Sequence, residues 1–201
     1  MTTVAEMPAG FADKVLSAQS TFRSVMDAMA RPGRVQHIAP AAGAPGVMMR
    51  GAVAIALTLF DHDTPIWLDQ RMSETSDVAK WLKFHTGAPV VEDSSVCSFA
   101  LIGDADALPP LDRFSFGSNE YPDRSATLIL QVESLTQGPA FELRGPGIDG
   151  ATNLLATIPA DLFERLSINQ ALFPRGIDVV LVHDDSIVAI PRTTRLVVKG
   201  G

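Results

Sequence analysis

The stretch ATLILQV (126–132) constrains this chain more than any other. Its apolar residues run on without polar alternation, so a strand formed there has no face for water and needs cover on both sides. Such a strand lies inside a sheet with packed layers above and below. Two further runs, DVVLVHD (178–184) and IVAIPRTTRLVV (187–198), read as strands joined by a short turn at Asp185-Ser186. GAVAIALTLF (51–60) is equally apolar but falls within a helix expected over 47–59, buried on most of its sides.

The rest of the chain supplies the covering layers. Residues 13–30 repeat Val15, Leu16, Phe22, Val25, Met26 and Met29 at helical spacing. Arg31-Pro32-Gly33 ends that helix, because proline clashes with a continuing turn and glycine takes the left-handed exit. An amphipathic helix over 76–86 puts Val78, Trp81, Leu82 and His85 on one side. Another helix spans 159–172, with Pro159 suited to its first turn. Strands are expected at 34–38, 65–69, 97–103 and 141–145, the last pairing with 126–132. The fold class is therefore α/β, one mixed sheet of parallel and antiparallel strands flanked by helices. No repeat and no long linker divides the 201 residues, so a single domain over 1–201 is expected.

Charge and composition exclude several function classes. The net charge is −7 and no basic block occurs, which argues against a nucleic-acid partner. The apolar run at 51–60 is about half a membrane span, and the N-terminus lacks a secretory pattern. The single cysteine, Cys97, excludes an intrachain disulfide and a thiolate cluster. A cytoplasmic protein without membrane contact is expected. At 46% hydrophobic residues, some apolar surface is expected to meet a partner.

Candidate chemistry is sparse. GPGIDG (145–150) has dinucleotide-loop spacing, yet Pro146 and Pro159 interrupt the helix that such a loop needs, leaving a tight turn as the better reading. FDHDTP, with His62 between Asp61 and Asp63, fits a helix-ending turn at least as well as a metal fragment. His85 ends a helix, where a cationic imidazole meets the dipole favourably. Lysines occur only at 14, 80, 83 and 199, and none suits a dry Schiff-base pocket. No cofactor, metal site or catalytic residue is assigned. IPRTTR (190–195) gathers Arg192, Thr193, Thr194 and Arg195, the groups that surround a phosphate oxygen. Alternation along an unbroken strand sends one Arg and one Thr to each face. These four residues, with His85 and Arg31, stand as anion or interface contacts.

Seven stretches, taken in order, resemble one family. They are TFRSVMDAMARPGRV, LTLFDHDTPIWL, FHTGAPVV, GSNEYPDRSATLILQV, RGPGI, FPRGIDVVLV and AIPRTT, with Ser118 and Ser125 where the family pattern has Thr and Gly. The family is PhnH, the H subunits of the bacterial carbon–phosphorus lyase complex. The resemblance implies an accessory subunit that is not catalytic alone, a homodimer in isolation, paired with subunits G, I and J. With G, I and L, the assembly transfers an alkylphosphonate to ribose C1′ of ATP and releases adenine. Subunit J, a radical enzyme with an iron–sulfur cluster, later breaks the C–P bond. The implied fold is the large domain of pyridoxal-phosphate-dependent transferases without the cofactor lysine, in keeping with the lysine inventory. Two alternatives stay open: a stand-alone α/β enzyme or binding protein for a phosphorylated ligand, and a pyridoxal-phosphate binder without chemistry.

Overall fold

The computed structural model of the chain describes residues 8–198 apart from 40, 42 and 75. The N-terminal residues read as no secretory signal lie in part outside the described residues, as does Lys199. Among the described residues, two sheets and five α-helices build the fold, with four short 3-10 turns between them.

The larger sheet contains β1 (Gln36–His37), β2 (Ile66–Leu68), β3 (Phe99–Ile102), β4 (Thr127–Gln131), β7 (Asp178–His183) and β8 (Ser186–Ile190). Its order is β1-β8-β7-β4-β3-β2. Strands β2, β3, β4 and β7 run parallel, whereas β8 pairs antiparallel with β7 and β1 antiparallel with β8. ATLILQV supplies β4 at the centre, and its side chains divide between the two cores: Ile129 joins one, Leu128 and Leu130 the other. The apolar run of that stretch is the signature of a strand buried on both sides.

The Ile129 side is covered by α1 (Lys14–Ala30), α2 (Arg50–Leu59) and α4 (Ser76–Thr86), through Val25, Ala52–Ala56, Val78, Trp81 and Leu82. A short α3 (Gln70–Ser73) precedes α4. The other side is covered by α5 (Leu162–Ala171) and by a second sheet of β5 (Ala140–Arg144), β6 (Thr152–Leu155) and β9 (Arg195–Val198). That sheet is antiparallel in the order β6-β5-β9. Its residues Phe141, Leu143, Leu154 and Leu196 face the core.

The α/β class and the mixed sheet match the sequence reading; the single sheet does not. The strand at 140–144 pairs with β6 and β9 rather than with β4. β4 already has β3 and β7 on its two edges, so no edge is free for it. The strand at 152–155 was not expected, because TNLL is short and polar at its start. The run IVAIPRTTRLVV is also two strands in two sheets. Pro191 has no N–H for the ladder, and the chain turns at Arg192-Thr193 with Thr194 N–H donating to Pro191 C=O at 2.8 Å. The β7–β8 turn is Asp184-Asp185, one residue before the expected position.

GPGIDG is the β5–β6 turn, with Ile148 N–H donating to Gly145 C=O at 3.1 Å. Gly147 has φ +79°, and a Cβ there would stand 2.1 Å from the Ala30 carbonyl oxygen. Only glycine lets this turn close onto the end of α1.

Candidate functional site

The turn after Pro191 is a junction where four of the family-like stretches meet. Arg192 reaches from it to Asp178, the first residue of β7. Its main-chain N–H donates to Asp178 Oδ1 at 2.8 Å and its Nε to the same oxygen at 3.2 Å, while Nη2 bonds Oδ2. Nη1 donates to Pro122 C=O at 2.7 Å, and Nη2 also to Ser125 Oγ. Gly145 and Gly176 close the ring, since a Cβ on either would touch Thr193 O at 3.0 Å or Arg192 Cβ at 3.2 Å. RGPGI, FPRG, YPDRS and IPRTT thus meet around the Arg192 turn, and the three guanidinium nitrogens of Arg192 all bond within the chain.

The other anticipated site residues are dispersed. Thr193 is half-buried, while Arg195 begins β9 and is exposed. Thr194 is buried, and its hydroxyl has no hydrogen-bond partner. Replacing it with valine, nearly isosteric, removes a desolvated hydroxyl without breaking a bond. Thr194→Val is therefore expected to hold or raise stability by up to about 1 kcal/mol in a thermal melt. A loss of comparable size contradicts this placement.

Arg31 sits just past α1 and pairs with Asp27 at 2.7 Å. His85 lies against Trp81 with ring centroids 4.3 Å apart and the planes tilted by 39°, and its Nε2 lies 3.3 Å from the Pro8 carbonyl oxygen, which also accepts from Trp81 Nε1 at 2.7 Å. Both rings hold the Pro8 segment against α4. His62 stays exposed in a turn set by Asp61, which accepts from Asp63 N–H and Thr64 Oγ1. The Thr64 hydroxyl and that N–H hold the Asp61 carboxyl below its ordinary value. Burial pushes the Cys97 thiol up to about 11, so it stays protonated at neutral pH. Among the described residues, no group of three His, Cys, Asp or Glu side chains is placed to hold a metal ion. Among them, too, no helix is long and apolar enough to cross a membrane.

Motif reading missed the hollow at the carboxyl ends of β3 and β4, where open α/β sheets place their ligands. It encloses about 310 Å3, with Arg71, Asp104, Asp106, Glu133 and Ile158 in its wall. Two buried side chains fix residues of its lining: Asp69 from behind, through Gly103 and Asp104, and Gln131 within it. Asp69, just after β2, accepts from Met72 N–H at 2.8 Å, Gly103 N–H at 2.8 Å and Asp104 N–H at 2.9 Å. Gln131, at the end of β4, accepts from Met49 N–H at 2.7 Å and donates to Val47 C=O at 3.0 Å, fixing the start of α2. A polar residue closing an apolar strand was the available signal for Gln131. The wall sets one guanidinium against three carboxylates, a field that repels polyanions.

This chain belongs to the family of bacterial phosphonate metabolism proteins, PhnH, whose profile matches residues 9–197. The resemblance drawn from the seven stretches is borne out over nearly the whole chain. Among relatives, it is 43% identical over 198 residues to the alpha-D-ribose 1-methylphosphonate 5-triphosphate synthase subunit PhnH of Rhizobium meliloti (strain 1021), covering 98% of each chain. It is 30% identical over 203 residues to the putative C-P lyase subunit protein HtxG of Stutzerimonas stutzeri, covering 99% of this chain and 97% of that protein.

Proposed function

We propose that this chain is an accessory, partner-binding subunit of the carbon–phosphorus lyase machinery and not a catalyst on its own. It works with subunits G, I and L in transferring alkylphosphonate to ribose C1′ of ATP, and pairs with G, I and J. In isolation it forms a homodimer in the cytoplasm, as one domain spanning residues 1–201. Its sheet corresponds to the large domain of pyridoxal-phosphate-dependent transferases, with the cofactor lysine absent. The observation that carries this reading is the charge of the hollow at the sheet's carboxyl end. Three carboxylates against Arg71 disfavour a nucleoside triphosphate and a phosphonate in the place where an enzyme of this architecture holds its substrate. The exposed apolar side chains Val15, Leu16, Phe22 and Met26 on α1 agree with a partner-binding role.

Adenine release from ATP plus methylphosphonate tests the proposal. The chain alone is expected to release none, and the mixture with G, I and L to release adenine. Turnover by the isolated chain overturns the accessory reading. So does a full rate from G, I and L without it.

A further inference from the structure

We infer that the outward face of the small sheet is a docking surface for a protein partner that presents carboxylates beside an apolar patch. The inference rests on the accessory-subunit reading and adds to it the surface and its chemistry.

Strand alternation and register define this face. Phe141, Leu143, Leu154 and Leu196 point into the core, so Ala140, Glu142 and Arg144 of β5 point outward with their partners across the ladder. Those partners are Asn153 and Leu155 of β6 and Arg195 and Val197 of β9. Leu155 is 43% exposed and Val197 48% exposed. Arg144 stands directly opposite Arg195. Like charges directly opposed across an antiparallel pair destabilise a sheet. Arg144 is relieved by Glu142, whose carboxylate lies 2.7 Å from its Nε. Arg195 pairs with Arg144 through the main chain of the ladder, but its side chain has no hydrogen bond or ion pair with any described residue. The face therefore carries two guanidinium groups against one carboxylate, in a chain whose net charge is −7.

Arginine is enriched at protein interfaces, and here it has no internal side-chain partner and stands beside the exposed Val197. Its planar fork takes a carboxylate bidentately. Val197 stands beside it on β9, and Leu155 adds apolar area at the opposite corner of the same face. An open sheet face has no walls to enclose a small anion, but it does suit a protein surface. The Arg144–Arg195 opposition costs the free chain stability and is relieved when a partner's carboxylate arrives. Charge complementarity thus selects an acidic partner.

The test uses the full-length chain co-expressed with lyase subunits G and I as probes, reading co-purification, affinity and thermal stability. Wild type is expected to co-purify, and Arg195→Glu to bind at least about tenfold more weakly. The isolated Arg195→Glu chain is expected to melt no lower than wild type, because the introduced carboxylate gains Arg144 as a cross-strand partner. Arg195→Lys, which keeps charge but not the fork, is expected to fall between. If wild type binds and Arg195→Glu binds equally well, the docking inference fails while the accessory reading stands. If wild type does not bind the probes, both fail.

Discussion

Replacing Arg192 with alanine is expected to lower stability by about 3 kcal/mol, the lower end of the range for stranding one partner of a buried ion pair. The Arg192 and Asp178 side chains are 15% and 13% exposed, so the pair is mostly but not fully shielded from water. Without the guanidinium, Asp178 keeps only the main-chain N–H of residue 192, and Pro122 C=O and Ser125 Oγ each lose a donor. For a chain of this size the melting temperature should fall by about 6–12 °C. Arg192→Lys should recover part of the loss, because an ammonium supplies charge but cannot span both carboxylate oxygens and Pro122 together. Asp178→Asn combined with Arg192→Ala should cost less than the sum of the single changes, since the pair acts as one unit. A melt of Arg192→Ala within about 1 kcal/mol of wild type would free the guanidinium from this structural role. It would then return to the candidates for a ligand contact.

That junction shows how far the sequence carries and where it stops. β4 was legible because an uninterrupted apolar run has one stable placement. The helices α1 and α4 were legible from periodicity as helices, with Asp13 accepting from Val15 and Leu16 N–H to fix the first start. The buried face of α1 was not: Val15, Leu16, Phe22 and Met26 are exposed, and Thr21, Val25 and Ala28 meet the core. The split of IVAIPRTTRLVV was not legible from alternation, which assigns faces only within one strand. Pro191 was the visible warning, but its consequence depends on a second sheet whose strand β6 carries almost no pattern. The Arg192 site shows the same dependence. In the observed register Val179 faces Ile190, so Asp178 lies opposite Pro191 and next to Arg192. With the turn placed one residue later, Asp178 moves opposite Thr193, and the pair is lost from view. Register converts local pattern into contacts, and a one-residue error redirects every pairing. The hollow at the sheet end was hidden for a related reason. Its residues come from five separated segments that carry no motif individually; the parallel order of β2, β3 and β4 brings three of them together, and the segments before α2 and after β6 close over them.

Asp69→Ala is expected to be the other severe substitution, costing about 3–4 kcal/mol, because a buried carboxylate that accepts three main-chain N–H groups cannot be trimmed without orphaning them. Asp69 is 2% exposed, and its oxygens serve both the start of α3 and the exit of β3. Hydrogen bonds to a charged group contribute about 1.5–3 kcal/mol each. Water entering from the adjoining hollow can replace some of them, which keeps the expected cost below their sum. Asparagine is no substitute despite its shape. Its one carbonyl oxygen can serve Gly103 and Asp104, but its NH2 then faces the Met72 N–H, donor against donor. Asp69→Asn is therefore expected to lose about 2 kcal/mol, intermediate between wild type and alanine. Hydrogen exchange separates local from global loss: in both variants the Gly103 and Asp104 amides should exchange faster than the β4 amides, since β4 keeps its pairing with β3 and β7. Equal protection of Gly103 and Asp104 in wild type and Asp69→Ala would mean that this carboxylate does not hold these two residues of the hollow's lining.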